Sequence, residues 1–326
     1  MNFHQGVSAR TRAALRALAA AGLSPRHPVH VAPFTGGTYN TVEELRLADG
    51  SRCVLKTAPA GPGLRHENAL LVSEAEFCRG AALAGVPAPR VMAVEGAWLL
   101  MTLSPGIPWD DTVTSAERGD LRAELGRHVA RLHTVAGPGY GYPSGALGPL
   151  APDWRSAFAE MLDAVLDDAR RYRVRLPRPA DEVAAVTRRA FDALDEVTVP
   201  RLVHFDLWQG NVLIDRSTGR ARIGGLIDGE RMFWGDPLAD FVSLALLGDI
   251  REDEAFLAGY REAGGHAEFD TPARLRLALY RTYLYLIMLT ETVPRAVGED
   301  RVRRVQEVVA PELLEALEEI EKTAVS

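Results

Sequence analysis

Residues 201–215, Arg-Leu-Val-His-Phe-Asp-Leu-Trp-Gln-Gly-Asn-Val-Leu-Ile-Asp, read as an apolar run, a turn and a second apolar run. Such a stretch is satisfied when two short strands bury their apolar residues and leave the polar turn at their rim. The turn carries His204, Asp206 and Asn211, with Asn211 five positions after Asp206. A further apolar run, residues 221–227, ends in Asp228. The pattern predicts a carboxylate, an amide and a second carboxylate at one cleft edge. Magnesium suits such a set, because it takes one or two carboxylates and completes its shell with phosphate oxygens and water. Asp and Asn are also ordinary turn residues, since their side chains bond nearby backbone. The set at this spacing, not any single member, points to phosphoryl transfer.

Bulk properties narrow the partners. The 326 residues allow two domains or one two-lobed domain. A net charge of −7 weighs against a nucleic-acid partner, which needs a basic face. Cys53 and Cys78 sit in apolar surroundings without metal-ligand spacing, so buried reduced thiols and a cytoplasmic address are expected. Residues 9–21 are interrupted by Arg and read as an amphipathic helix rather than a signal peptide. No apolar run approaches membrane-span length, and no membrane partner is expected.

Along the chain, a helix over 9–21 leads to strands at 29–32, 41–47, 52–58, 90–94 and 98–103, with a second helix at 67–84. This predicts an antiparallel sheet with one long helix laid across it. Ser104-Pro105-Gly106 breaks the chain, and the division is placed there, giving residues 1–103 and 104–326. Beyond it the pattern turns helical, at 116–135, 153–171, 180–195, 237–247, 252–263, 271–292 and 299–323. The fold class expected is α+β and bilobal: a small antiparallel β-rich lobe with one long helix, then a larger, mostly helical lobe.

Lys56 ends the apolar strand Cys-Val-Leu-Lys. A lysine there either faces solvent or clamps phosphates, and in the second case it needs an anionic partner. Glu74 fits on the following helix, with Glu67 and Glu76 as rivals. Gly36, Gly37 and Thr38 lie between two strands ahead of Lys56, where glycine amides can approach phosphate; a Gly-Gly pair is equally an ordinary hairpin turn. Met101 to Leu103 would present backbone groups to a purine ring.

The chain resembles the aminoglycoside phosphotransferase family, within the choline-kinase-like branch of the protein-kinase fold. The resemblance is carried by Thr35-Gly-Gly-Thr-Tyr-Asn40, Lys56, Glu74, Gly85-Val-Pro-Ala-Pro-Arg90, Leu132-His133, the His204 to Leu213 run, Ile227-Asp228 and Gly235-Asp-Pro-Leu-Ala-Asp-Phe241. It implies transfer of the γ-phosphoryl of ATP, or of GTP, to a hydroxyl of a small molecule. It implies Asp206 as the base or hydroxyl orienter, Asn211 and Asp228 as magnesium ligands, Lys56 on the α and β phosphates and Glu74 fixing Lys56. His204 would support the loop through a backbone bond, and Asp240 would tie down its backbone. Where regulated protein kinases carry Arg, this chain has Phe205, which cannot pair with a phosphorylated loop. Gly229-Glu230 follows Asp228 in place of Phe-Gly, and Asp236 comes only eight positions after Asp228. That leaves too little chain to dock a polypeptide, so a protein substrate is not expected.

The acceptor is expected against Asp206, between the loop and the late helices. Asp249, Glu252, Asp253, Glu254, Glu262, Glu268, Asp270, Glu312, Glu315, Glu318 and Glu319 could bind a polycation or simply face water. Trp208, Phe233 and Trp234 could stack on an acceptor or pack in the core. An antibiotic-type aminocyclitol or another hydroxylated amine is favoured. The alternatives are a metabolic kinase for a sugar, fructosamine or amino alcohol, and a catalytically silent nucleotide-binding member of the same fold.

Overall fold

The computed structural model describes residues 9–23, 30–34, 39–110 and 112–324. Five strands, β1 (His30–Pro33), β2 (Thr41–Arg46), β3 (Arg52–Thr57), β4 (Val91–Glu95) and β5 (Trp98–Thr102), form one antiparallel sheet in the order β1-β2-β3-β5-β4. Successive strand residues face opposite sides, and β3 shows what this does. Cys53 and Leu55 join Leu45 and Leu100 under Ala14, Ala17 and Leu18 of helix α1 (Ala9–Ala20). Val54 faces the other way and packs with Leu99, Met101, Leu71 and Ala75, the last two from helix α2 (Leu70–Leu83). Lys56 shares the parity of Val54 and so points at α2. The sheet therefore carries a helix on each face, where the sequence predicted only α2. Nothing in the spacing of α1 told which surface its Ala-rich stripe would cover.

The remainder is mostly helical. Helices α3 (Ser115–Leu132), α4 (Trp154–Arg171), α5 (Ala180–Arg188), α6 (Leu238–Leu244), α7 (Glu254–Glu262), α8 (Thr271–Thr290) and α9 (Glu299–Thr323) surround two small sheets. One sheet joins β6 (Ile107–Pro108), β8 (Val212–Asp215) and β9 (Arg222–Leu226); the other pairs β7 (Arg201–Val203) with β10 (Phe233–Gly235). Strands β7, β8 and β9 are the apolar runs read from the sequence, and the polar turn lies at their ends. Several helices are capped as their sequences ask: Thr114 and Glu117 form a capping box on α3, and Asp153, Asp253 and Asp270 accept from the first turns of α4, α7 and α8. Cys53 and Cys78 are buried free thiols. Among the described residues no helix is long and apolar enough to cross a membrane.

Two glycines permit a close crossing of α3 and α7. A Cβ on Gly259 of α7 would lie 1.9 Å from the Ala123 carbonyl oxygen of α3, and one on Gly126 would lie 2.2 Å from the Phe256 oxygen. Backbone has nowhere to move at such a crossing. Gly259→Ala is expected to lower stability by about 1–3 kcal/mol despite the better helix propensity of Ala. Urea denaturation of the two proteins measures this directly.

Candidate active site

The site starts from a buried charge. Lys56 is 4% exposed and Glu74 is 1% exposed, and Nζ of Lys56 lies 2.6 Å from Oε1 of Glu74. The same ammonium donates to Asp228, whose side chain remains partly open to solvent. Burial pushes the Lys56 ammonium down, but the carboxylates of Glu74, Asp228 and Glu230 more than offset it and hold the group charged, well above its ordinary range. Burial in turn raises Glu74, with Lys56 pulling it back. The two rivals of Glu74 are engaged elsewhere: Glu67 pairs with Arg295, and Glu76 pairs with Arg79.

The turn between β7 and β8 is held from beneath. Asp240, fully buried in α6, accepts from the backbone amides of His204 at 2.9 Å and Phe205 at 2.7 Å. Its second oxygen meets Nε2 of His133 at 3.0 Å, and His133 reaches Tyr260 through Nδ1. Phe205 adopts φ of 62°, a left-handed conformation that a bulky residue rarely takes. Its ring is buried against Phe233 and Tyr283, which accounts for an aromatic residue where a surface Arg would need water. His204 ties two segments together: Nδ1 accepts from the amide of Asp206 at 3.2 Å, and Nε2 donates to the Ile227 carbonyl at 3.0 Å. That pairing requires the neutral ring, and burial keeps its pKa low. Its contact is with backbone, as the resemblance implied.

Asn211 donates through Nδ2 to the Asp206 carbonyl at 2.8 Å and to Oδ2 of Asp206 at 3.2 Å. Asp206 is half-buried. Burial lifts its carboxyl to about 7; Arg231 pulls it down, and Glu230, Glu291 and Asp228 push it further up. Asp228 also has a left-handed backbone, with φ of 60°. Lys56 with Glu74 and Asp228, and Asp206 with Asn211, thus lie close together, joined where the Ile227 amide donates to the Asn211 carbonyl. Gly36, Gly37 and Thr38 lie outside the described residues. Met101 is buried inside the sheet, paired with Val54 and Val91, and Leu103 follows the last residue of β5.

A charged wall that the sequence did not single out borders Asp206. Arg231 pairs with Glu291 at 2.6 Å, and Glu291 also meets Arg295 at 3.1 Å. Arg295 lies over the Tyr39 ring at 4.4 Å, and Asn40 donates to Glu230. Burial, with the Glu67 carboxylate, raises the Tyr39 hydroxyl to about 12. Only the proximity of Glu230 and Arg231 to Asp228 in sequence hinted at these groups. Gly229 is explained by Phe77 of α2: a Cβ at 229 would sit 2.3 Å from that ring, which also meets His204 edge-on. The aromatic expected after Asp228 is supplied from another element.

Phe233 and Trp234 are buried core residues, whereas Trp208 is 46% exposed. Much of the late acidic run is paired with Arg or Lys of the same chain. Asp249 pairs with Arg251, Asp253 with Arg122, Glu262 with Arg127, Glu318 with Lys322 and Glu319 with Arg281, while Asp270 caps α8. A cleft of about 800 Å³ opens beside Trp208 and Gln209, with Arg118, Leu246, Glu252 and Glu254 in its wall.

Asp240→Ala would strand two buried amides and His133 at once. A loss of about 3 kcal/mol or more is expected, because each unsatisfied buried donor costs ~1–3 kcal/mol. The midpoint of urea unfolding, at unchanged slope, checks it.

Comparison with known proteins bears on this geometry. Residues 30–279 match the family model described as the phosphotransferase enzyme family. Among curated proteins, sequence comparison finds no match. Solved structures share the fold. A Thermobifida fusca YX-ER1 protein assigned as a fructosamine-3-kinase aligns with a TM-score of 0.67 and 21% identity, over 98% of this chain and 99% of that one. The aminoglycoside phosphotransferase APH(4)-Ia, as a thermostable mutant in ternary complex with AMP-PNP and hygromycin B, aligns with a TM-score of 0.58 and 16% identity, over 93% and 95% of the two chains. A type I macrolide 2'-phosphotransferase gives 0.57 and 20%, over 94% and 98%. With its matched span covering most of its length, the chain belongs to the phosphotransferase enzyme family.

Proposed function

We propose that the protein is an ATP- and magnesium-dependent kinase that transfers the γ-phosphoryl group to a hydroxyl of a small hydroxylated amine, such as an aminoglycoside-like antibiotic. GTP is the other candidate donor. The observation that supports this reading is the clustering of Lys56, Glu74, Asp206, Asn211 and Asp228. In this reading residues 1–103 form the nucleotide-binding lobe and residues 104–326 the catalytic and acceptor-binding lobe.

Each side chain has a task that its surroundings suit. Lys56 offers phosphates a permanently charged donor, held by Glu74. Gly36, Gly37 and Thr38 would supply amides and a hydroxyl to the phosphates, and Met101 to Leu103 backbone groups to the purine. Asp206 orients the acceptor hydroxyl and takes its proton; a base with a pKa near the working pH does this best. Asn211 and Asp228 would hold magnesium. The fit rests on donor chemistry: Asp228 presents a partly exposed carboxylate, and Asn211, with Nδ2 committed to Asp206, keeps its amide oxygen for a ligand. No cluster of three or more His, Cys, Asp or Glu is found among the described residues, so phosphate and water oxygens would complete the shell. When bound, magnesium supplies neutralising charge to the phosphates.

Carboxylates Glu230, Glu291 and Asp228 outnumber Arg231 as neighbours of Asp206, which favours an acceptor that brings an ammonium group. The cleft lined by Trp208 and Gln209, which follow Asp206 closely in the chain, is where the rest of it is proposed to lie. A second reading, a metabolic kinase for a sugar, fructosamine or amino alcohol, is favoured by the full-length likeness to the Thermobifida protein. ATP consumption against a panel of amines, sugars and antibiotics separates the two. Retained nucleotide binding with turnover that no acceptor stimulates would indicate a silent member instead.

Asp206→Ala is expected to lower kcat by ~10²-fold or more while nucleotide affinity changes little; equal activity would overturn the assignment. Because Asp206 acts unprotonated and its pKa is raised, kcat/KM should be full above about 7 and fall as pH drops through that value. A limb near the ordinary carboxylate range would contradict this. Asp228→Ala should weaken magnesium-dependent nucleotide binding, and an unchanged magnesium titration would rule out its role.

A further inference from the structure

Two residues at the start of β2 are bolted to the helical part of the molecule from opposite directions. Asn40 donates its amide to Glu230, which lies two residues after Asp228. Tyr39 lies under the Arg295 guanidinium, at 4.4 Å from ring centroid to Cζ. Arg295 belongs to the turn that follows α8, and it is almost fully buried there, with 12% of its side chain exposed. It serves three partners at once: the Tyr39 ring, Glu67 and Glu291. Glu67 completes the knot: its other oxygen accepts the Leu64 amide at 2.8 Å, and its charge acts on the Tyr39 hydroxyl. The next residue, Ala296, has φ of 47°, a strained conformation for a residue with a side chain. The chain bears that strain at the point where it delivers Arg295 to the sheet.

What the bolts hold is the strand beside Lys56. Val42 of β2 pairs directly with Lys56 of β3, and Asn40 is two residues before Val42. Fixing Tyr39 and Asn40 therefore fixes Lys56 against the segment that bears Asp228. Glu291 extends the connection, because it binds both Arg295 and Arg231, and Arg231 is the cation that acts on Asp206. One chain of contacts runs from the sheet to Arg231, whose charge acts on Asp206.

We propose that Arg295 is a positioning residue for phosphoryl transfer: clasped on Tyr39 and Glu67, it sets the separation of Lys56 from Asp206 and Asp228, and so the grip on the nucleotide phosphates. This rests on the phosphotransfer reading given above. In this proposal Arg295 acts through β2, by its contacts with Tyr39, Glu67 and Glu291. The clasp needs both a planar cation and a ring, so Lys is a partial substitute and Phe at position 39 a better one than Leu.

The test uses the full chain, with Arg295→Ala, Arg295→Lys, Tyr39→Leu, Tyr39→Phe and the Arg295→Ala/Tyr39→Leu double variant. The exposed pair residue Arg303, changed to Ala, is the control. Magnesium-ATP affinity is read by calorimetric titration, and transfer by kcat and KM for the best acceptor of the panel. Arg295→Ala is expected to weaken magnesium-ATP binding about tenfold and to lower kcat as well, with Arg295→Lys and Tyr39→Phe recovering part of the loss. The double variant should be no worse than the poorer single variant, because both changes break one contact. Losses that multiply in the double variant, or an Arg295→Ala protein that melts early yet binds magnesium-ATP like the parent, would overturn the proposal. The titration does not depend on turnover. If the parent binds magnesium-ATP, the expected losses appear and no acceptor is ever phosphorylated, the clasp stands and the kinase reading falls. If the parent binds no magnesium-ATP, both fall.

Discussion

An ammonium group removed from water governs the arrangement of this molecule. Lys56 is buried, and a buried cation left alone would cost several kcal/mol, so its partners must arrive with it. Glu74 comes from α2 and Asp228 from the segment after β9. The parity of β3 decides that Lys56 faces α2 and not α1. Three elements distant in sequence are thereby held to one another by a single point of neutralisation. In the phosphotransfer reading, incoming phosphates would find this donor already dry and already aimed.

Backbone strain collects around the same point. Phe205 and Asp228 both take left-handed conformations, which cost of order 1–3 kcal/mol each outside glycine. The structure offsets this locally. Asp240 gathers the amides of His204 and Phe205, the aromatic core seats the Phe205 ring, and His204 joins the Asp206 amide to the Ile227 carbonyl. His204 is thus the strut between the two strained positions, with the turn carrying Asp206 on one side and Asp228 on the other.

Much of this was legible in the residues, and the limits were physical. Helices and strands followed from their periods and caps, and Asp206, Asn211 and Asp228 from short spacing within one turn and its neighbour. Lys56 called for an anionic partner on the next helix, but Glu67 and Glu76 rivalled Glu74 there, and it was the family resemblance that favoured Glu74. Pairings between remote segments were not readable. Asn40 with Glu230 and Arg295 with Glu67 join residues about two hundred positions apart, and a sequence rich in Arg and Glu offers many equivalent partners. The same ambiguity left the late acidic run open between a ligand surface and a solvated face; several of its members are caps or are paired within the chain. Gly229 looked like a gap because its packing partner, Phe77, belongs to a helix far upstream.

The short path between Asp228 and β10 has a consequence of its own. Residues 229–231 form a single tight turn, and Phe233 is already paired with Val203. Phe77 presses on that turn from α2. A segment tethered at both ends and wedged in the middle has no slack with which to swing outward. Enzymes that are switched off by rotating this region need a long free loop there, and this chain has none. In the phosphotransfer reading, nucleotide and acceptor would therefore meet this segment already in its working position.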